Sequence, residues 1–377
     1  MGFIYGLTVL YSFLIIFEGI MIQCECAEDE TTTKRMKIDK PFLPNDLTEN
    51  IFSMSDFETI KKTVKEGIFR PTVPVMRRII QNHIILIKPH EFDGVIHEFK
   101  QYGDLFLRFG NFQEQILFFN KFGDQVTKIE YWYSPTINDV QRNEINQKII
   151  KKCAKNLEEL RINTFDDKEF WEDILDGENK INFPKVKKFQ IEGYIYRNEL
   201  KFNLIFPKLE SFKLIGDIAD TNCLENLKGL KELSLCTDSV QEDQFDHIFQ
   251  NNKDITKMFL YMPRKANTMQ SIANYLMELK TLEVQYPNEN FLLRENNNTV
   301  YDVGSVTRFD ITLYTMDEMN LFGELSFKMP HLKKLILNGY RTDDRIVNFI
   351  NYFKELEIVE LLVEKYNGVN CIEKLKR

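Results

Sequence analysis

Apolar residues recur along most of the chain in a fixed triplet, L-x-x-L-x-L, whose intervening positions are mostly polar. Residues 183–191 read Phe-Pro-Lys-Val-Lys-Lys-Phe-Gln-Ile, and nearly the same phrase begins at Phe206 and at Met329. Successive triplets are 21 to 31 residues apart, a regularity that indicates a structural repeat. The ten triplets begin at Val126, Leu157, Val186, Leu209, Leu230, Ile255, Leu279, Val306, Leu332 and Leu356, and a weaker copy (Tyr102, Leu105, Leu107) precedes them.

Each triplet predicts a short strand, and several of the segments between them predict helices. The last two apolar positions lie two residues apart and therefore face one side of a strand. Phe245, Ile248 and Phe249 have helical spacing, as do Ile272 and Leu276. Because one strand-and-helix unit cannot bury its own apolar face, stacked copies must share a core. The sequence therefore predicts an α/β fold, a curved solenoid of parallel strands.

This pattern resembles the leucine-rich-repeat family, across residues 100–377 and about ten repeats. The chain departs from the family at one place, since no repeat has Asn or Cys three residues after its third apolar position. Ser134, Asp217, Pro263 and Pro287 are among the residues found there instead. The turns after the strands are therefore expected to be irregular.

The strand side of such a solenoid is the expected binding surface, because the third, fifth and seventh residues of each phrase face outward. Charges of both signs alternate there, and four apolar side chains stand out, since exposed aromatic and aliphatic groups often anchor partners. The alternative for each of the four is a shifted register that buries it. The candidate target-binding residues are Trp132, Phe259, Tyr261, Arg308 and Ile336.

Residues 41–99 precede the predicted solenoid and begin with an amphipathic helical pattern. Pro44 suits a first helical position, and Leu47, Ile51 and Phe52 form one helical face. Taken alone, this is a helix that caps the open end of the solenoid.

The same segment also resembles the opening of the F-box, a helical module of about forty to fifty residues. In that family the L-P-x-x-L-x-x-x-I-F phrase packs on a Skp-type adaptor, which connects it to a cullin ubiquitin ligase. The family's later Cys-Arg-x-Trp-like signature is absent, and residues 67–71 read Gly-Ile-Phe-Arg-Pro. The resemblance implies that the adaptor-binding residues are Leu43, Pro44, Leu47, Ile51, Phe52, Phe57 and Ile60.

The first 26 residues are expected to be a secretory signal peptide. Residues 3–17 are an uncharged run, and a small-residue site for cleavage before Ala27 follows. The alternative is a membrane anchor, which Glu18 disfavours because a charge inside a span is costly. Residues 27–40 are charged and predict a flexible leader.

A signal peptide, an F-box and leucine-rich repeats in this order resemble the salivary effectors that gall midges secrete into plant cells. The resemblance implies a host adaptor and a host target protein as partners, with the host-cell cytoplasm as the final site. The alternative is an extracellular leucine-rich-repeat binding protein whose N-terminal helices only cap the solenoid. A decoy that binds a host protein without any adaptor would share the same fold. Residues 27–152 contain no Cys, and Asn297 begins the only glycosylation sequon, so both observations favour a reducing destination.

Composition excludes several other functions. The 377 residues carry 49 basic and 57 acidic side chains, whereas nucleic-acid binders usually have a basic surface. His83, His90 and His97 lie seven residues apart, but Pro89 interrupts any helix that could hold them on one face. No nucleophile elbow or phosphate-binding loop is present. We expect no enzymatic activity, cofactor, metal or nucleic-acid partner, and no membrane association after signal cleavage.

Overall fold

The computed structural model describes most of the chain from residue 112 to residue 366 and short pieces before it. The predicted signal peptide and leader, the adaptor-binding positions 43–60 and Asn297 lie outside the described residues. The structure describes residues 77, 80–81, 84–87, 106–107, 112–133, 151–164, 182–195, 200–219, 221–237, 240, 242–263, 266–287, 300–313, 325–342 and 345–366.

Twelve described strands form one parallel sheet, in the order β14-β13-β11-β9-β8-β7-β6-β5-β4-β3-β1-β2, and β10 pairs with β12 separately. The strands are β1 (Ile84–Ile87), β2 (Phe106–Leu107), β3 (Lys128–Tyr133), β4 (Glu159–Thr164), β5 (Lys188–Gly193), β6 (Ser211–Ile215), β7 (Glu232–Cys236), β8 (Lys257–Tyr261), β9 (Thr281–Gln285), β10 (Tyr301–Asp302), β11 (Arg308–Leu313), β12 (Phe327–Lys328), β13 (Lys334–Thr342) and β14 (Ile358–Tyr366).

The predicted α/β class with a large parallel sheet is confirmed, and the sheet follows the sequence repeat. Each of the ten triplets leads into a strand that begins two residues after its first apolar position, as Leu230 does before β7. Along β6 to β9 the side chains alternate between buried and partly exposed, because successive residues of a strand face opposite sides. This architecture is consistent with a solenoid-like repeat.

Strand β1 precedes residue 100, where the sequence analysis expects the repeats to begin. It lies in the sheet between β2 and β3, although the sequence analysis assigned residues 41–99 to a helical module. All four residues of β1, Ile-Ile-Leu-Ile, are buried. A strand covered on both faces is continuously apolar, so it lacks the alternation by which the other strands were recognised.

Helices and short turns connect the strands and bury apolar side chains against the back of the sheet. The predicted helical face of Phe245, Ile248 and Phe249 is confirmed, and all three belong to the core. No helix in the described part of the chain is long and apolar enough to span a membrane. The described helices are α1 (Phe112–Phe122), α2 (Lys151–Ala154), α3 (Phe202–Ile205), α4 (Asn222–Glu225), α5 (Glu242–Asn251), α6 (Ala266–Tyr275) and α7 (Arg345–Tyr352), with a 3-10 turn at Gly123–Gln125.

A ladder of backbone hydrogen bonds joins each repeat to the next. In every rung one carbonyl accepts two N–H groups of the following repeat, over N–O distances of 2.7 to 3.2 Å. The accepting residue always directly follows the first apolar residue of the triplet, so the ladder fixes one register for the whole stack. The accepting carbonyls belong to Thr127, Glu158, Lys187, Glu210, Lys231, Thr256, Lys280, Thr307 and Lys333.

Asn252 is a buried polar side chain that joins two repeats. Its Nδ2 donates to the carbonyls of Leu227 (2.9 Å) and Ile248 (2.8 Å), and its Oδ1 accepts the N–H of Leu230 (3.0 Å). The side chain is only 1% exposed, so the backbone groups that it hydrogen-bonds are shielded from water and depend on it for a partner. This amide lies three residues before the triplet that begins at Ile255, whereas the pattern of the resembled family would place an Asn three residues after a triplet.

Two glycines allow the strand ends of β5 and β6 to approach closely. Gly193 (φ 134°) and Gly216 (φ 116°) lie beside each other, where non-glycine residues are strongly disfavoured. A Cβ on Gly216 would lie 2.1 Å from the carbonyl oxygen of Gly193. The backbone N–H of Gly216 donates to the Cys236 carbonyl (3.0 Å), so this geometry also serves the contact with the next repeat.

We predict that Asn252→Ala lowers the free energy of unfolding by about 3 kcal/mol, because it leaves buried backbone groups without partners. Asn251→Ala is the matched control, since that side chain is exposed and makes one bond, to the Glu225 carbonyl (2.9 Å); it should cost about 0.5 kcal/mol or less. Urea denaturation followed by circular dichroism measures both. Equal stabilities of the two variants would contradict the bridging role of Asn252.

We predict that Gly216→Ala destabilises the protein by about 3 kcal/mol, because the new methyl group collides with backbone. Gly229→Ala is the control: its φ is 77°, but nothing lies within 4 Å of the added Cβ. It should cost about 1 kcal/mol, the strain of a left-handed alanine alone. Thermal denaturation of both variants checks this, and a Gly229 variant at least as unstable as the Gly216 variant would refute it.

Candidate interaction surface

The outer face of the sheet is formed by the third, fifth and seventh residues of each phrase, which point away from the apolar core. The strand registers align the fifth residues into a line that crosses the sheet, here called the middle row. It consists of Glu130, Arg161, Gln190, Lys213, Ser234, Phe259, Glu283, Asp310, Ile336 and Glu360.

The β3–β4 end of the middle row is a buried charge cluster. Arg161 lies 2.6 Å from the Glu159 carboxylate and 3.7 Å from that of Glu130. Glu130 and Arg161 are only 7% and 6% exposed, and the Trp132 ring N–H donates to Glu130 over 2.8 Å. Buried charges are tolerated when they are paired and hydrogen-bonded, as these are. The cluster therefore fixes this end of the outer face.

Further along the sheet, the middle-row carboxylates pair with basic residues of the neighbouring row. Each pair is partly exposed and of modest energetic value. The Asp310 hydrogen bond raises the pKa of Arg308 above its ordinary value, against the opposing effect of burial, so this cation stays charged. The pairs and their shortest N–O distances are Lys257–Glu283 (3.2 Å), Arg308–Asp310 (2.7 Å) and Lys334–Glu360 (2.8 Å).

Lys213 differs from the other charged side chains of the middle row. Within the described ranges no carboxylate oxygen lies within ion-pair distance of its ammonium group, whereas each of the others has an opposite charge at 3.7 Å or less. Burial raises the pKa of Glu192 and of Cys236, and the charge of Lys213 opposes that rise in both. Lys213 is therefore a partly exposed cation with no direct carboxylate partner in this part of the chain.

The structure places all five candidate target-binding residues on the outer face, so the register is not shifted. Phe259, Tyr261, Trp132 and Arg308 are partly exposed, with Arg308 paired to Asp310. Ile336 is different, because it also faces outward but is only 7% exposed. Phe259 and Tyr261 lie on the same side of β8, two residues apart.

Phe259 and Tyr261 belong to a larger cluster, completed by Met262 and Tyr286, that we call the aromatic patch. The rings of Tyr261 and Tyr286 meet edge to face with 5.8 Å between centroids. Met262 directly follows Tyr261 and is 43% exposed, so it adds apolar surface next to the two tyrosines. Phe259 and Tyr261 belong to β8, Met262 directly follows β8 and Tyr286 directly follows β9, so the patch spans two repeats.

Met262 and Tyr286 have left-handed backbone conformations, with φ values of 48° and 51°. Their N–H groups donate to the carbonyls of Gln285 (2.7 Å) and Thr312 (2.8 Å), so the turned backbone reaches the next repeat. Sequence reasoning missed both residues. The following prolines, Pro263 and Pro287, indicated that regular structure ends there, but a residue before proline is expected to be extended and not left-handed.

Two further titratable groups lie on the outer face, Cys236 on β7 next to the patch and Glu192 three strands away from β8, on β5. Burial raises the pKa of Glu192, with Lys213 opposing and Glu130 adding to the shift, and its Oε2 accepts the Asn163 Nδ2 hydrogen bond (2.9 Å). Burial likewise raises the pKa of the Cys236 thiol, which disfavours the reactive thiolate at neutral pH. No group of three metal-ligating residues occurs in the part of the chain that the structure describes.

Comparison with known proteins adds no relative. No protein-family model matches the chain, and no curated protein matches it in sequence.

We predict that Glu192→Gln becomes more stabilising as pH rises from about 4 to 7. The folded-state pKa of Glu192 is raised, so protonation favours the folded state and ionisation above the ordinary pKa costs stability. Glutamine stays neutral and keeps an oxygen for Asn163. Urea midpoints across this pH range measure the difference between variant and wild type. The difference should approach zero at the acid end, and a gap that narrows with rising pH would contradict the shift.

Proposed function

We propose that the protein is a secreted effector that binds two partners and catalyses no reaction itself. Its repeats would hold a host target protein, and its N-terminal helices would bind the Skp-type adaptor of a host cullin ubiquitin ligase. The observation that carries the target-binding half is the aromatic patch on the outer face of the sheet. Such a receptor acts by proximity, because it holds the target near the ubiquitin carrier.

The repeat is proposed to be a leucine-rich repeat. The supporting evidence is the ladder register, which places the first apolar residue of every triplet in an equivalent position before its strand. Nine of these ten residues are buried, and the tenth, Leu356, is partly buried. Asn252 supports the same assignment, since an amide that bonds backbone groups of adjacent repeats is the kind of contact on which such solenoids depend.

The F-box part of the proposal rests on the sequence resemblance and on the order of the modules. With β1 in the sheet, the helical module can extend from residue 41 to residue 83 at most, which is 83 − 41 + 1 = 43 residues. That length fits the forty to fifty residues of the family it resembles.

The cysteines support a reducing final compartment, the host-cell cytoplasm. Cys153 is a fully buried core thiol whose pKa is strongly raised by burial, and Cys236 is a partly buried thiol on the outer face. Secreted domains that remain in an oxidising medium commonly stabilise themselves with disulfides. Thiols inside the repeats suit a chain that is exported and then works inside a cell.

An extracellular leucine-rich-repeat binder remains the second candidate, and the missing Cys-Arg-x-Trp-like signature favours it. In that case the N-terminal helices would cap the first strands of the sheet and bind no adaptor.

Co-expression of residues 27–377 with a Skp-type adaptor tests the proposal. The adaptor should co-purify with the wild type, and Leu43→Asp combined with Ile51→Asp should abolish capture, because charges would enter an apolar contact. The control is Leu117→Asp with Leu204→Asp, the same change at residues that are 67% and 64% exposed; it should leave capture intact.

Two results would decide against parts of the proposal. Capture that survives the Leu43 and Ile51 changes would refute the assigned contacts. Failure of the folded wild-type protein to capture any plant Skp-type adaptor would refute the ligase role and favour the extracellular binder.

A further inference from the structure

We propose that the aromatic patch and Lys213 form one recognition site, and that its ligand is a protein segment carrying a carboxylate and a bulky apolar side chain about three residues apart. This inference rests on the proposed function of the outer face as the target-binding surface. It adds the chemistry of the target.

The first argument is the backbone strain in the patch. At the ends of β5 and β6 the chain adopts positive φ with Gly193 and Gly216, which adopt it at no steric cost. At the ends of β8 and β9 it does so with Met262 and Tyr286, for which the left-handed conformation is unfavourable. A glycine would satisfy the same cross-repeat hydrogen bond. The two side chains are therefore retained at the expense of stability.

The second argument is that the side chains of Met262 and Tyr286 lie at the surface. Met262 is 43% exposed, so it contributes little to the core, and the Tyr286 ring packs against Tyr261 at the surface. Strained residues that project apolar groups outward are typical of ligand-binding sites. Aromatic and methionine side chains are also the residues enriched at the energetic centres of protein interfaces.

The third argument is the charge beside the patch. The other charged members of the middle row have opposite charges within ion-pair distance, whereas Lys213 has none among the described residues. Its strand, β6, is two strands away from β8, so Lys213 lies about 10 Å from Phe259 in the sheet. A carboxylate of the ligand can pair with Lys213 without breaking an ion pair between described residues.

These positions define the ligand's spacing. An extended peptide advances about 3.4 Å per residue, so about three residues separate a side chain over Lys213 from one over Phe259. A bulky apolar side chain of the ligand packs against the aromatic patch, and the carboxylate of an Asp or Glu pairs with the ammonium group of Lys213.

Selection from a random peptide library tests the site. Phage-displayed dodecapeptides are panned on immobilised residues 27–377, and the enriched peptides are synthesised for fluorescence polarisation. We expect sequences with Asp or Glu about three residues from Phe, Tyr, Trp or Leu. Met262→Gly should weaken their binding about tenfold, a typical hot-spot loss.

Thermal denaturation separates a binding effect from a folding effect. Met262→Gly should keep or raise the melting temperature, because glycine accepts φ 48° without strain. Lys213→Gln should weaken the acidic peptides several-fold but not versions in which Asn or Gln replaces the acid. Lys188→Gln, the same substitution at an exposed lysine of β5, should change neither.

Absence of enrichment would overturn the inference, as would peptides that bind the Met262 variant and the wild type equally. Adaptor capture by the same variants is measured in parallel, since Met262 and Lys213 are remote in sequence from the proposed F-box residues. A wild-type protein that captures the adaptor but enriches no such peptide refutes only this site. Peptide binding without adaptor capture in the wild type refutes the ligase role and leaves the recognition site standing.

Discussion

One shared carbonyl per repeat holds this fold together. It accepts two N–H groups from the following repeat, and it stands next to the first apolar residue of each triplet. That coupling links two requirements, because the residue that enters the core and the residue that sets the register are neighbours in sequence. Segments between strands can therefore vary from one turn to a full helix without disturbing the sheet. The apolar core and the alignment of the outer face both follow from this one contact.

Phenylalanine fills the space that the variable connections leave behind the sheet. Phe189 stacks on Phe206 with 4.5 Å between ring centroids, and Phe183 stacks on Phe206 at 5.3 Å. Phe202 and Phe212 lie against the same group. Offset aromatic stacking adds a geometric preference to the burial of large apolar area. In this part of the chain, contacts between phenylalanine rings fill the core that leucine side chains fill elsewhere.

Local periodicity predicted what depends on local burial and missed what depends on contacts between distant residues. The strand after Leu230 was predictable because its apolar positions are dictated by the pleat. Strand β1 was not, because a strand buried on both sides has no alternation. The register correctly predicts that Ile336 faces outward. It does not predict that this side chain is almost completely buried, because that depends on residues distant in sequence. Asn252 bonds to the preceding repeat and the left-handed Met262 to the following one, so no pattern within their own segments predicts these contacts.

The left-handed position at the strand ends has a consequence for how such a protein can change over generations. Glycine would be sufficient for folding at positions 262 and 286, and the larger side chains present there cost the stack only a little stability. Substitutions at Met262 or Tyr286 can thus alter what the surface contacts while the ladder beneath stays intact. Selection for a different binding surface would therefore act at these two positions with little loss of folding stability.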